Sequence, residues 1–312
     1  MKTVCAISIL LLMLSSSFAQ QKAPPSSDDG FDLSSSINQW LEDNIDPDAL
    51  RVMQQMDAER VQKLFAELQQ AMQGTNIYQL GTLRETATQV VPILQKYEET
   101  WPYGAWLQAR LDEMEAAQEL QRRMKTSASE PATLPPSPPL KLERQVWVRS
   151  LEKRPWPPLA RNYVAQLKKI FISERTPPEL VWVAEVESSF NPSARSPSGA
   201  AGMFQLTPQV ARDERLSLWP WDERYQPDKS ARAAARYLRT LHEHYGDWEL
   251  ALAAYNAGEK RVDKLLRQQS SQSFEAIARR LPAETQMYVP RIEATLRKRE
   301  GKDLNQLKAP RN

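Results

Sequence analysis

The sequence predicts an all-α fold, on three observations. Apolar residues recur at helical spacing in Val61, Leu64, Phe65, Leu68 and Met72, in Leu159, Tyr163, Leu167, Ile170 and Phe171, and in Leu180, Val183 and Ala184. Helix starts are signalled by Thr or Asp beside proline or glutamate, and helix ends by glycine. No segment has the strict alternation of a half-buried strand. At 312 residues, 41% of them apolar, the chain can bury a sizeable core, and two folded parts with a linker are expected.

Met1 to Ala19 has a lysine near its start, an apolar run from Val4 to Leu14 and Ser17-Phe18-Ala19 at its end, the pattern of a cleavable signal peptide (residues 1–19). The run is too short for a stable membrane span. The one cysteine, Cys5, lies inside that run and not after it, so neither lipid attachment nor a disulfide is expected. The expected location is the periplasm.

Residues 20–35, rich in Ser, Asp and Pro, read as a disordered leader. Residues 36–125 read as a small helical module. Asp46-Pro47 should cap one helix, whose stripe from Val61 to Met72 ends at Gly74. Thr82-Leu83-Arg84-Glu85 predicts a capping box opening a helix kinked at Pro92, and a further helix should run from Tyr103 to Met124. The module has no histidine or cysteine, its acids fit caps and polar faces, and its aromatic residues fit core packing better than sugar stacking, so no chemistry is read there. Residues 126–141, with five prolines between Pro131 and Pro139, predict an extended spacer and a domain boundary.

Residues 142–312 are helical again, and the informative stretch is Pro177 to Gln205. Thr176-Pro177-Pro178-Glu179 predicts a capped helix running to Ser188. Leu180, Val183, Ala184 and Glu187 then share one face, so a carboxylate ends an apolar stripe. A carboxyl held against apolar surface is disfavoured in its charged form and can donate a proton near neutral pH. Glu185 is rotated about 200° from Glu187 and should face elsewhere. Gly199 and Gly202 allow tight turns, Thr207-Pro208 starts a short helix, Asp228 and Asp247 should cap two more, and the last helix carries Tyr288 and should kink or restart at Pro290.

Lys and Arg number 12 against 18 Asp and Glu in residues 1–141, and 29 against 21 in 142–312, an excess of eight that favours an anionic polymer as partner. No motif supports nucleic-acid binding. No metal site is expected, since His242 and His244 lie two apart on one helix and point to different sides, and no elbow motif surrounds a serine; no cofactor is expected either.

Glu187-Ser188, then Ser196-Pro197-Ser198-Gly199-Ala200-Ala201-Gly202-Met203-Phe204-Gln205, then Ala254-Tyr255-Asn256-Ala257-Gly258, then Glu284-Thr285-Gln286-Met287-Tyr288-Val289-Pro290 occur in that order. Together they resemble the lysozyme-like lytic transglycosylases of family 1 (glycoside hydrolase family 23), most nearly the membrane-bound lytic transglycosylase D type. The resemblance implies a lysozyme-like catalytic domain over residues 142–312, with Glu187 matching the catalytic acid/base. It implies that Ser188, Met203, Phe204, Gln205, Tyr255, Asn256, Glu284 and Tyr288 line or support the sugar site. Asn256 could equally fix the Tyr255 helix, and Met203-Phe204 departs from the family's usual pair before the glutamine. The implied partner is the peptidoglycan glycan strand, cut between N-acetylmuramic acid and N-acetylglucosamine with 1,6-anhydro ends. A goose-type lysozyme, which shares the acid but delivers water, and a non-catalytic wall-binding protein are the alternatives. The 36–125 module is left for docking cell-wall assembly partners.

Overall fold

The computed structural model describes residue 45 and residues 58–127 and 134–309. The signal peptide with Cys5, the leader, the cap at Asp46 and residues 128–133 of the proline-rich stretch lie outside the described residues. Within them the chain forms 13 α-helices and no strand, only isolated bridges from Ala201 to Arg195 and Leu206, so the all-α expectation holds.

Among the described residues four helices precede the proline-rich stretch: α1 (Ala58–Gln73), α2 (Tyr78–Thr82), α3 (Arg84–Leu94) and α4 (Trp101–Ser127). The α1 stripe is buried as its period requires, from Val61 through Met72. The capping box at Thr82 does not form: its hydroxyl donates to the Gln79 carbonyl, and Leu83, already helical, links α2 directly to α3. A hydroxyl satisfied by the preceding turn is not free to cap the next one.

The proline-rich stretch is less of a spacer than its composition suggests. Over residues 134–139 the Pro136 carbonyl accepts from the Ile77 amide at 3.1 Å, and the buried Ser137 hydroxyl donates to the Thr75 carbonyl at 3.1 Å. The next helix, α5 (Leu140–Leu151), buries Val146, Trp147 and Leu151 in the same apolar cluster as Val61, Phe65, Trp106 and Leu107, and Ala283, Met287 and Ala294 of the last helix join it. One core therefore runs across the expected boundary.

The second cluster is built by α6 (Ala160–Ser173), α7 (Val183–Ser188), α8 (Pro208–Asp213), α9 (Pro227–Tyr245), α10 (Trp248–Ala257), α11 (Glu259–Leu266), α12 (Phe274–Ile277) and α13 (Ala283–Glu300). The single helix expected from Pro177 is instead a 3-10 turn, Pro178–Trp182, running into α7. The Thr176 hydroxyl does not cap it but donates to the Ala235 carbonyl, tying the turn to α9. Thr207 and Asp247 cap α8 and α10 as expected, accepting from the Val210 and Leu250 amides. Asp228 does not cap α9: Gln226 holds that position, Pro227 starts the helix, and the Asp228 carboxylate takes the Gln166 amide group. α13 continues through Pro290 as one helix, its polar and apolar sides both buried by α5, α7 and α10.

Candidate active site

Glu187 sits in the last turn of α7, 4% exposed. The chain reverses immediately after it through two left-handed residues, Ser189 (φ 55°) and Phe190 (φ 64°), with the Phe190 amide bonded back to the Ala184 carbonyl. A left-handed phenylalanine is strained. Its fully buried ring, set edge-on to Trp182 at 5.5 Å, holds it there. The reversal leaves the Glu187 carboxyl facing inward between α4, α10 and α13.

Its neighbours come from three helices. The Tyr288 hydroxyl of α13 donates to Glu187 Oε1 at 2.6 Å. Arg110 of α4 places Nη2 3.6 Å from Glu187 Oε2 and the same distance from Glu284 Oε1, while its Nε lies 3.9 Å from Glu113 Oε2. Burial pushes the Glu187 carboxyl up to about 7, against the opposing pull of Arg110 and of the Tyr288 hydrogen bond. Burial raises Glu284 to about 7 as well, and raises the Tyr255 and Tyr288 hydroxyls. The result is a carboxyl group that exchanges its proton near neutrality, held by a tyrosine that stays protonated.

Glu185 has a different environment. It makes a two-pronged ion pair with Arg299 of α13, at 2.7 and 2.9 Å, and Arg299 also donates to the Arg154 and Pro155 carbonyls. The helical phase separated the two acids correctly.

Ser188 is buried and positional: its hydroxyl donates to the Met203 carbonyl at 2.8 Å and accepts from the Asn191 amide, fastening α7 to the small-residue turn. Met203 and Phe204 are fully buried side chains of the second apolar cluster. The Phe204 carbonyl accepts from the Tyr255 hydroxyl at 2.7 Å.

Gln205 has a left-handed φ of 47° and turns its side-chain amide onto the Ala194 and Gly202 carbonyls at 3.0 and 2.8 Å, which leaves its buried Oε1 without a partner. An acceptor left open there suits a ligand hydroxyl or amide. Gly202 is required by space: at φ 79°, an added Cβ would lie 1.9 Å from the Arg224 carbonyl oxygen. Arg224 braces the turn from outside, donating to the Gly199 and Leu206 carbonyls.

Asn256 fixes its neighbours, accepting from the Thr285 hydroxyl at 2.6 Å and hydrogen-bonding Glu284. His242 stacks on Trp248 at 4.0 Å, whereas His244 lies 3.3 Å from Asp263, so the two point apart as expected.

Arg110 and Glu113 were not singled out in the sequence, although a signal was there. Tyr103, Trp106, Arg110, Glu113, Ala117 and Leu120 form one stripe at i+3 and i+4 spacing, and all are buried. Two charges at core positions of a helix mark a polar network.

A family model, Transglycosylase SLT domain, matches residues 168–278. The chain is similar to the membrane-bound lytic murein transglycosylase D of Escherichia coli (strain K12), 38% identical over 122 residues, covering 38% of this chain and 27% of that protein. It is also similar to a putative tributyltin chloride resistance protein of Alteromonas sp. (strain M-1), 36% identical over 123 residues, 39% of this chain and 56% of that one. A third relative is the membrane-bound lytic murein transglycosylase F of Vibrio cholerae (strain ATCC 39541), 31% identical over 127 residues, 38% of this chain and 21% of that protein. The chain thus spans about half or less of the length of these relatives. The resemblance of the sequence to lysozyme-like lytic transglycosylases is borne out by these matches.

Proposed function

We propose that this chain, which carries a transglycosylase SLT domain over residues 168–278, cleaves the glycan strands of peptidoglycan as a lytic transglycosylase. The observation that carries the reading is the buried Glu187 carboxyl, raised to about 7 and hydrogen-bonded to Tyr288, which the sequence resemblance matches to the family's acid/base.

Protonated Glu187 gives its proton to the oxygen linking N-acetylmuramic acid to N-acetylglucosamine, and the bond from that oxygen to the anomeric carbon breaks. The Glu187 carboxylate, steadied by the Tyr288 hydroxyl, then takes the proton of the muramoyl 6-hydroxyl as that oxygen closes on the anomeric carbon. Products are a free 4-hydroxyl and a 1,6-anhydro end. No water is consumed, and the acid is regenerated. The attacking group belongs to the substrate, so its effective concentration is high and one carboxyl group can serve both steps. The open Oε1 of Gln205 and the ring of Tyr255 are assigned to sugar contact, and Glu284 and Asn256 to holding the α10–α13 side of the site.

One observation favours a second reading. Glu284 is a second, half-buried carboxyl raised to about 7 and shares Arg110 with Glu187, so it could prepare a water for hydrolysis as a goose-type lysozyme does. The test is mass spectrometry of muropeptides released from purified sacculi: anhydro-muramic ends support transglycosylation, and reducing ends throughout overturn it. Periplasmic location, through the predicted signal peptide, completes the proposal.

A further inference from the structure

Arg110 enters the site from α4, outside residues 168–278 and outside every motif that carries the family resemblance. Its guanidinium donates Nη1 to the carbonyls of Val186 and Glu187, at 3.3 and 3.2 Å, the last-turn carbonyls that α7 itself cannot satisfy. The same group faces the Glu187 and Glu284 carboxyls at 3.6 Å. It is 4% exposed, lies 5.4 Å from the Trp106 ring, and its Nε has no hydrogen-bond partner. Behind it, Arg291 of α13 binds Glu113 at 2.7 Å and Asp112 at 2.9 Å. Asp112 is also paired with Arg154.

The groups facing Glu187 are thus Arg110 and Glu113 from α4, Tyr255 from α10, and Glu284, Tyr288 and Arg291 from α13. Arg110 is stretched over three carboxyl groups, with no short bond to any of them, while Arg291 is committed to Glu113 and Asp112. A guanidinium so placed fixes the backbone under Glu187 and moderates, without cancelling, the tendency of its carboxyl to stay protonated.

We propose that the N-terminal helical module is a working part of the catalytic centre and that Arg110 is its positioning residue, setting the orientation and proton affinity of Glu187, with Glu113 as the counterweight. The proposal rests on reading Glu187 as the acid/base. It gives the module a role that its own sequence does not announce.

The test follows the Glu187 carboxyl directly in the full chain labelled with 13C-glutamate, using Glu187→Gln to identify its NMR signal and a Glu284→Gln background to remove the coupled group. Arg110→Met should raise the titration midpoint above the parent's by about one pH unit or more, and Glu113→Gln should lower it. Turnover should follow: in Arg110→Met the high-pH fall of kcat/KM moves upward and kcat drops about tenfold with KM nearly unchanged, and Arg110→Lys recovers most of both. Midpoints that stay at the parent's value in both variants, with activity falling only as melting temperature falls, would overturn the proposal. Should Arg110→Met not fold, the direction in Glu113→Gln decides. Midpoints that move in a chain that cleaves no sacculi would leave Arg110's hold on Glu187 standing and remove the functional reading instead.

Discussion

The two sides of α7 carry one buried glutamate each, two residues apart, and each is met by an arginine. On the Glu185 side, Arg299 gives two short bonds to a single carboxylate and spends its remaining donors on backbone carbonyls. On the Glu187 side, Arg110 stands 3.6 Å or more from three carboxyl groups and closes with none. One arginine matched to one acid fixes a charge and holds structure. One arginine shared among several acids leaves a carboxyl that can take up and release a proton. The two arginines also differ in origin: Arg299 lies on α13, among the helices of the second cluster, whereas Arg110 belongs to the helices before the proline-rich stretch.

That difference in origin can be broken most severely by deletion. Removing residues 1–139 strips Arg110 and also uncovers Val146, Trp147, Leu151 and Met287, which pack against the module's core. A domain boundary at residues 126–141, as the sequence predicts, implies a soluble, active fragment from about Leu142. The shared core predicts insolubility or complete loss of activity, checked by expression and turnover of sacculi. A fragment that is folded and fully active would show that the module is dispensable.

Glu187→Gln should cost about a hundredfold or more in activity, because the amide keeps a hydrogen-bonding shape but transfers no proton. Its stability effect has a definite sign. A carboxyl at about 7 in the folded chain and about 4.5 in the unfolded one binds more protons when folded, so the parent loses stability as pH rises from about 4.5 to 7. The variant should therefore gain on the parent by up to about 3 kcal/mol across that window, with little difference below it, as read from unfolding at several pH values.

Glu185→Gln should do the reverse. Breaking a buried pair leaves Arg299 uncompensated and should destabilise by about 3 to 5 kcal/mol, while activity measured well below the melting temperature stays within a few-fold of the parent. Comparable loss of turnover in both variants would erase the distinction between the two sides. Tyr288→Phe should cost about tenfold in activity with little change in stability, and the high-pH limb should be displaced upward because the carboxylate loses the hydrogen bond that favours it.

Much of this was legible in advance. The stripe from Val61 to Met72, the caps at Thr207 and Asp247 and the stop at Gly74 are local matters, decided by residues within four positions of the backbone they serve. Where expectation failed locally, a competing partner had taken the side chain: the Gln79 carbonyl for Thr82, the Ala235 carbonyl for Thr176, the Gln166 amide for Asp228. That Met203 and Phe204 are fully buried was not legible either, since order along a turn does not say which side chain the core will claim.

The sequence by itself determined that the chain is helical, that Glu187 is the candidate acid, and that Glu185 looks the other way, because helix periodicity and motif order are properties of neighbouring residues. Only the tertiary structure decided what Glu187 meets. Arg110 is 77 residues away in the chain and Tyr288 is 101, and no spacing rule links them to α7. Proton affinity is set by burial and by charges a few ångströms off through space, and those distances exist only once α4, α7, α10 and α13 have packed.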